Sequence, residues 1–178
     1  TAMTKAKKGL FKDTQPETLV MNVIKGVLDK TNLKPEDIEE VVFGNVLGLG
    51  CHNFKLRMAC FNAGLNEKTS FLTINRLCSS GLQSVMSLAY SITNGQVDVG
   101  IAGGVESMSL NEFILIDDKT IPEESLKNEN SKNCLLPMGI TSENDSEKFG
   151  ITRKDQDLFA AESYKKARED LLDISLVD

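Results

Sequence analysis

The sequence contains one cysteine whose setting suits covalent catalysis. Cys78 is followed by Ser79, Ser80 and Gly81, between a predicted strand and a predicted helix. A thiolate is the reactive form of cysteine, and the unpaired N–H groups and positive dipole end of a helix N-terminus stabilise it. The small residues keep the turn narrow, so a substrate carbonyl can reach the sulfur and backbone donors able to hold an oxyanion. The pattern therefore predicts that Cys78 is a nucleophile in a turn resembling a nucleophile elbow.

The other three cysteines fit structural roles better. Cysteine is often a small buried hydrophobe, which is also the ordinary alternative for Cys78. Cys60 lies on a predicted core face and Cys134 precedes two leucines, so we expect both to pack. Cys51 precedes His52, but adjacent side chains usually point apart, which disfavours a Cys–His dyad. The cysteine spacing matches no zinc motif, so we expect free thiols and no metal site.

Two further features are candidates for a ligand site. Gly103 and Gly104 follow a predicted strand, but they lack the GxGxxG spacing and the lysine of a phosphate-binding loop, so close packing is the better interpretation. Met108 and Met138 suit either a hydrophobic core or a pocket for a flexible acyl chain.

The elements that would position Cys78 alternate between helix and strand. Apolar spacing and one N-cap residue, Thr152, predict helices at 14–30, 55–63, 82–94 and 152–171. Short β-branched or alternating runs predict strands at 41–43, 71–74 and 97–105. Such alternation is typical of a parallel α/β sheet. We expect the polar stretch 109–137 to be a long exposed excursion.

Composition narrows the class of protein and its partners. With 40% hydrophobic and 26% charged residues, the 178-residue chain has the composition of a soluble globular protein. A net charge of −6 disfavours the basic face that a nucleic-acid binder needs. No run approaches the about 18 apolar residues of a membrane span, and residues 1–12 do not resemble a signal peptide. We therefore expect neither nucleic acid nor a membrane as partner.

Four segments of the chain resemble motifs of the thiolase family. Asn75 to Gln83 (NRLCSSGLQ) is similar to the family's acyl-enzyme motif, and Gly103 to Ser109 (GGVESMS) is similar to a second motif. The other two segments are residues 42–47 (VFGNVL) and 137–144 (PMGITSEN), and the likeness extends to residue 161. Because these motifs occur in the family's order and span nearly the whole chain, the resemblance is specific. It is closest to the peroxisomal type of 3-ketoacyl-CoA thiolase.

The resemblance implies a fold and a reaction. Thiolases have an α/β fold with a mixed sheet, helices on both faces and a loop domain inserted in the N-terminal domain. They are acyltransferases of fatty-acid β-oxidation, which cleave 3-ketoacyl-CoA to acetyl-CoA and a shortened acyl-CoA through an acyl-cysteine, here at Cys78. Met138 matches a loop-domain position near the acyl and pantetheine end of the substrate. Acyl-CoA and CoA would be substrates, with no further cofactor and no metal.

The resemblance also implies an assembly, a location and domain boundaries. Family members form homodimers or tetramers, and the peroxisomal type predicts a peroxisomal enzyme, with mitochondrial or cytosolic placement as alternatives. Residues 1–109 would form the N-terminal domain, and residues 110–178 would begin the loop domain. The family's first strand, which we expect to be central in the sheet, would precede Thr1 and would be missing.

The expected absence of two catalytic residues of the family leaves alternative functions open. Thiolases are considerably longer than this chain, so we expect the second half to be absent. With it would go the histidine of a Gly-His-Pro motif, which activates the nucleophile, and a second cysteine that serves as acid and base. His52 matches neither position. The alternatives are therefore a non-catalytic acyl-CoA or lipid-binding protein, an inactive fragment, or a ketoacyl synthase, which the residues around Cys78 disfavour.

Overall fold

The computed structural model describes residues 3–111 and 121–173. Their contacts separate them into two units, of which the first contains residues 3–111 and the second contains residues 121–173. Cys78 and all strands of the described residues lie in the first unit.

A parallel sheet forms the centre of the first unit. Its strands are β1 (Glu40–Gly44), β2 (Ser70–Ile74) and β3 (Gly100–Gly104), in the order β2-β1-β3. Both pairings of β1 are parallel, with Phe43 opposite Thr73 on one side and Gly103 on the other. All three predicted strands are therefore confirmed, and their carboxyl ends meet at one edge of the sheet. β1 is therefore the central strand of the described sheet.

Helices cover both faces of this sheet. They are α1 (Pro16–Thr31), α2 (Asn53–Asn62) and α3 (Ser80–Thr93). α1 and α2 pack on the face of β1 that carries Val41 and Phe43. The residues of this core are Val20, Ile24, Leu28, Ile38, Val41, Phe43, Leu56, Ala59, Cys60, Ala63, Leu65 and Ile101. α3 packs on the opposite face, against β1 and β3, so the predicted α/β fold with helices on both faces is confirmed.

α3 presents serines to the sheet. Its buried residues are Ser80, Ser84 and Leu88. A Cβ atom added to Gly44 would lie 2.6 Å from the carbonyl carbon of Ser80, so the helix and β1 lie too close for any side chain at position 44. The Ser84 hydroxyl donates to the carbonyl oxygen of Gly103 at 2.7 Å. Small and polar residues therefore set the helix-to-sheet distance.

The apolar stripe of α3 faces away from the sheet. Leu82 and Val85, whose spacing predicted this helix, are 65% and 51% exposed. Ala89 and Ile92 continue the exposed stripe. The predicted helix is confirmed, but the face that packs on the sheet is not the apolar face from which the helix was predicted.

The described part of the second unit is helical. It contains α4 (Glu129–Asn133), α5 (Met138–Phe149) and α6 (Arg153–Asp173). The predicted N-cap of α6 is confirmed, because the Thr152 hydroxyl donates to Asp155 Oδ2 at 2.6 Å and accepts from the Asp155 N–H at 3.3 Å. The Thr152 hydroxyl and amide hydrogen bonds lower the pKa of Asp155.

Helix α5 was not predicted, because its few apolar residues form no continuous stripe. Its Met138 and Phe149 are 66% and 68% exposed. The stretch predicted as an exposed excursion contains a 3-10 helix at Glu123–Leu126 and α4, and its residues 112–120 lie outside the described residues. Among the helices that the structure describes, none is long and apolar enough to cross a membrane.

Gly44 offers a direct test of the close helix-to-sheet packing. We expect Gly44→Ala to lower the free energy of unfolding by about 1–3 kcal/mol, because the new methyl group must push α3 from β1. Gly26→Ala, in the exposed middle of α1 with no atom within 4 Å of the added Cβ, should instead stabilise the chain by about 0.5–1 kcal/mol. Urea denaturation of both variants measures the difference. Equal stability of the two variants would contradict the packing described.

Candidate functional site

Cys78 lies in the turn between the carboxyl end of β2 and the start of α3. Ser79 is the N-cap residue of α3, and Cys78 directly precedes it. The Cys78 side chain is exposed. The predicted position of the cysteine between a strand and a helix is confirmed, and solvent reaches the residue. Its role as a nucleophile stays a prediction.

The strained backbone of this turn is at Leu77. Leu77 has a φ of 49°, in the left-handed region that a residue with a Cβ atom rarely adopts. Its N–H donates to Asn75 Oδ1 at 3.0 Å, and its carbonyl oxygen accepts from the Ser80 hydroxyl at 2.6 Å. The turn therefore matches a nucleophile elbow in running from strand to helix, with the left-handed residue one position before the cysteine.

The two serines after Cys78 close the turn through hydrogen bonds. The Ser79 hydroxyl donates to the Arg76 carbonyl oxygen at 2.9 Å, and the Ser80 hydroxyl accepts from the Arg76 N–H at 2.8 Å. The Arg76 guanidinium also donates to Gln83 Oε1, on the first turn of α3, at 2.5 Å. Ser79 and Ser80 therefore do more than keep the turn narrow, because their hydroxyls form hydrogen bonds with its backbone polar groups.

Asn45 joins the carboxyl ends of all three strands. Only 1% of the residue is exposed. Its backbone N–H donates to the carbonyl oxygen of Ile74, at the end of β2, at 3.1 Å. Its Nδ2 donates to the carbonyl oxygen of Val105, just after β3, at 2.8 Å, and its Oδ1 accepts from the Gly48 N–H at 3.2 Å. Truncating this side chain would leave buried groups unpaired, at about 1–3 kcal/mol each.

A left-handed turn precedes α2. Gly50, Cys51 and His52 have φ values of 58°, 52° and 51°. The Nε2 atom of His52 lies 3.1 Å from the Nδ2 atom of Asn111. Within residues 3–111, no hydrogen bond joins Cys51 to His52, so the structure gives no support to a dyad between them.

Cys60 and Cys134 lie in contrasting settings. Cys60 is fully buried in the core, as predicted, and burial raises the pKa of its thiol to about 11. Cys134 is exposed, and its Sγ donates to the Asn130 carbonyl oxygen at 3.4 Å. The prediction that Cys134 packs is therefore wrong, because it follows a five-residue helix whose side chains are themselves exposed.

The two methionines are exposed, whereas the glycine pair is closely packed. Met108 and Met138 are 53% and 66% exposed, so neither fills a core in its unit. A role for Met138 beside a substrate stays a prediction. Gly103 packs closely, as predicted, because an added Cβ would lie 3.2 Å from Phe43 Cζ.

Three polar residues at the strand ends were not predicted from the sequence to be site residues. Asn45 follows β1, Asn75 follows β2, and Glu106 lies two residues after β3. Their side chains bond to backbone groups at the same edge of the sheet. The available signal was their position, since ligand sites of parallel sheets lie at the carboxyl ends of the strands.

Comparison with known proteins decides the family. A profile of the thiolase N-terminal domain matches residues 1–172. The chain belongs to the thiolase family. It is 46% identical to the peroxisomal 3-ketoacyl-CoA thiolase of Yarrowia lipolytica over 167 residues, which is 94% of this chain and 40% of that protein. The resemblance carried by the motifs around Cys78 is thereby confirmed.

Solved thiolase structures confirm the fold. The dimeric peroxisomal thiolase of Saccharomyces cerevisiae matches with a TM-score of 0.84 and 42% identity, over 93% of this chain and 44% of that chain. The human mitochondrial 3-ketoacyl-CoA thiolase in complex with CoA matches with a TM-score of 0.76 and 29% identity, over 93% of this chain and 45% of that chain. The chain thus spans less than half the length of these thiolases.

The contrast between the cysteines predicts their reactivity. In a short pulse of iodoacetamide at pH 8, we expect the exposed Cys78 and Cys134 to be alkylated and Cys60 to be protected, because its thiol is buried and stays protonated with a pKa of about 11. Peptide mass spectrometry measures each site. A pulse in denaturant should label all of them as the control, and labelling of native Cys60 as fast as Cys78 would contradict the described core.

Proposed function

We propose that this chain is the cysteine-bearing part of a 3-ketoacyl-CoA thiolase, an acyltransferase that cleaves 3-ketoacyl-CoA with CoA. The observation that carries the proposal is the exposed thiol of Cys78, directly before the N-cap of α3, in a member of the thiolase family. The Yarrowia lipolytica relative is named a 3-ketoacyl-CoA thiolase, which supports a 3-ketoacyl-CoA as the substrate.

In the proposed first half-reaction, the Cys78 thiolate attacks the 3-keto carbon of the substrate. Backbone N–H groups of the first turn of α3 that have no intrahelical partner would stabilise the resulting oxyanion; those of Ser79 and Ser80 already donate to Arg76 and Leu77. Collapse of this intermediate breaks the C2–C3 bond, and its electron pair goes to C2. C2 then takes a proton and leaves as acetyl-CoA, while the acyl group stays on the sulfur as a thioester.

In the second half-reaction, the thiol of CoA loses its proton to a base and attacks the acyl-cysteine. The shortened acyl-CoA leaves, and the Cys78 thiolate is restored, which is ping-pong covalent catalysis. Both half-reactions include a proton transfer, which a positioned acid or base accelerates. The only histidine of the chain, His52, contacts Asn111 instead. By resemblance, a histidine and a second cysteine that match no residue of this chain would serve.

The proposal extends to the surroundings of the site. Residues 1–109 would be the N-terminal domain and residues 110–178 the start of the loop domain, with Met138 near the acyl and pantetheine end of the substrate. A peroxisomal location is supported by the name of the Yarrowia lipolytica relative. A homodimer is supported by the dimeric Saccharomyces cerevisiae enzyme, and CoA by the human complex. A tetramer is the alternative assembly.

A second candidate is a non-catalytic thiolase-like protein that binds acyl-CoA or another lipid. One observation favours it: Nε2 of the only histidine in the chain, His52, contacts Asn111, and no residue of the chain matches the family's histidine or second cysteine. Such a protein would bind acyl-CoA without forming an acyl-cysteine.

Intact-protein mass spectrometry distinguishes the two candidates. The chain is incubated with a 3-ketoacyl-CoA and then with free CoA. The proposal predicts an adduct with the mass of one acyl group, which CoA removes, because a thioester on Cys78 transfers to the CoA thiol. We expect Cys78→Ser to abolish the adduct.

Cys134→Ser is the matched control, because Cys134 is also exposed but lies outside the turn. This variant should form the adduct as the wild type does. An adduct that persists in Cys78→Ser would contradict the assignment of acyl transfer to Cys78. Absence of the adduct in a wild-type chain shown by circular dichroism to be folded would contradict the assignment of the first half-reaction to these 178 residues.

A further inference from the structure

A chain of hydrogen bonds connects the end of β3 to the turn that carries Cys78. We propose that Glu106 and Asn75 are positioning residues, which hold this turn in the conformation that places the Cys78 thiol. This inference rests on the proposed role of Cys78 as the nucleophile. Neither side chain is assigned contact with a substrate, so their effect would pass through the backbone of the turn.

Glu106 holds the loop that follows β1. Its Oε2 accepts hydrogen bonds from the N–H groups of Val46, at 2.9 Å, and Leu47, at 3.1 Å. Its Oε1 accepts from Asn45 Nδ2 at 3.4 Å. A carboxylate that accepts from two successive amides forms charge-assisted bonds and fixes the direction of both peptide groups. The carbonyl group of Val46 is thereby held in place.

Asn75 passes this constraint to the cysteine turn. Its Nδ2 donates to the Val46 carbonyl oxygen at 3.3 Å, and its Oδ1 accepts from the Leu77 N–H at 3.0 Å. One side chain therefore joins the loop fixed by Glu106 to the residue just before Cys78. This residue is Leu77, whose φ of 49° is unfavourable for a leucine.

The strain at Leu77 explains why the bond from Asn75 matters. A non-glycine residue keeps a left-handed conformation only where its surroundings hold it. Without the Asn75 bond, we expect Leu77 to relax toward a negative φ, which would rotate the following peptide and move the Cys78 sulfur. A displacement of about 1 Å in a catalytic group is enough to slow a reaction by about a hundredfold.

The chain contains matched controls at the other end of the sheet. Glu39, just before β1, accepts hydrogen bonds from the N–H groups of Asp98 and Val99. Asn66, before β2, accepts through Oδ1 from the Lys68 N–H at 2.8 Å. Each makes the same kind of bond as its counterpart, at the amino ends of the strands and not beside Cys78.

The test compares two reactions of Cys78 in the full 178-residue chain. The first is acylation by a 3-ketoacyl-CoA, which needs the thiol in a defined place. The second is alkylation by iodoacetamide, which needs only access. We expect Asn75→Ala and Glu106→Ala to slow acylation by about tenfold or more while alkylation changes by less than about twofold. Protection of buried Cys60 from alkylation should persist, which shows that the variants are folded.

The control and rescue variants refine the expectation. Asn66→Ala and Glu39→Ala should acylate at the wild-type rate, because they lose equivalent bonds far from the turn. Asn75→Asp keeps an oxygen that accepts from Leu77 but loses the N–H that donates to the Val46 carbonyl, so it should recover only the part of the rate that depends on the bond to Leu77. Glu106→Gln, which keeps one acceptor oxygen, should likewise recover part of the rate.

The outcomes separate this inference from the proposed function. If the folded wild-type chain is not acylated, the assignment of acyl transfer to these 178 residues fails and the inference fails with it. If the wild type is acylated and the Asn75 and Glu106 variants keep its rate, the inference alone is wrong. It is also wrong if these variants lose Cys60 protection, or if the Asn66 and Glu39 variants slow acylation equally, since either result would indicate general destabilisation.

Discussion

The buried amide of Asn45 is the interaction on which this end of the sheet depends. Three parallel strands that stop at one edge leave backbone groups without ladder partners, and buried groups of this kind must find other partners. Asn45 supplies bonds to the last residue of β2, to the residue after β3 and to Gly48 in its own loop. With that loop fixed, Glu106 and Asn75 can reach it from the two neighbouring strands, and the turn of Cys78 is tied to the sheet.

The close packing of α3 complements this constraint. Because Gly44 has no side chain and Ser80 is small, α3 begins directly above the end of β1. The preceding turn must then be short, and the hydroxyls of Ser79 and Ser80 satisfy its polar groups. This arrangement leaves Cys78 exposed at the edge where ligand sites of parallel sheets lie.

The sequence predicted the helices and strands of the first unit, but not which of their residues contact one another. Periodicity predicted α1, α2, α3 and all three strands, and the turn with Cys78 followed from their order. Periodicity does not say which face of a helix meets the sheet, and in α3 the close approach of Gly44 and Ser80 selects the serine face over Leu82 and Val85. The bond from Glu106 to Val46 joins residues 60 positions apart, so no local spacing could predict it. α5 escaped because it has no apolar stripe.

Hydrogen exchange tests most directly whether Asn45 holds this network together. The amides of Val46, Leu47, Gly48 and Leu77 are to be followed by NMR in the wild type and in Asn45→Ala, with the amides of β1 as the reference. The account predicts slow exchange of all four in the wild type, and acceleration of all four in the variant by more than any change in β1, because they share one network. Slow exchange that is unchanged in Asn45→Ala, or acceleration confined to Gly48, would contradict it.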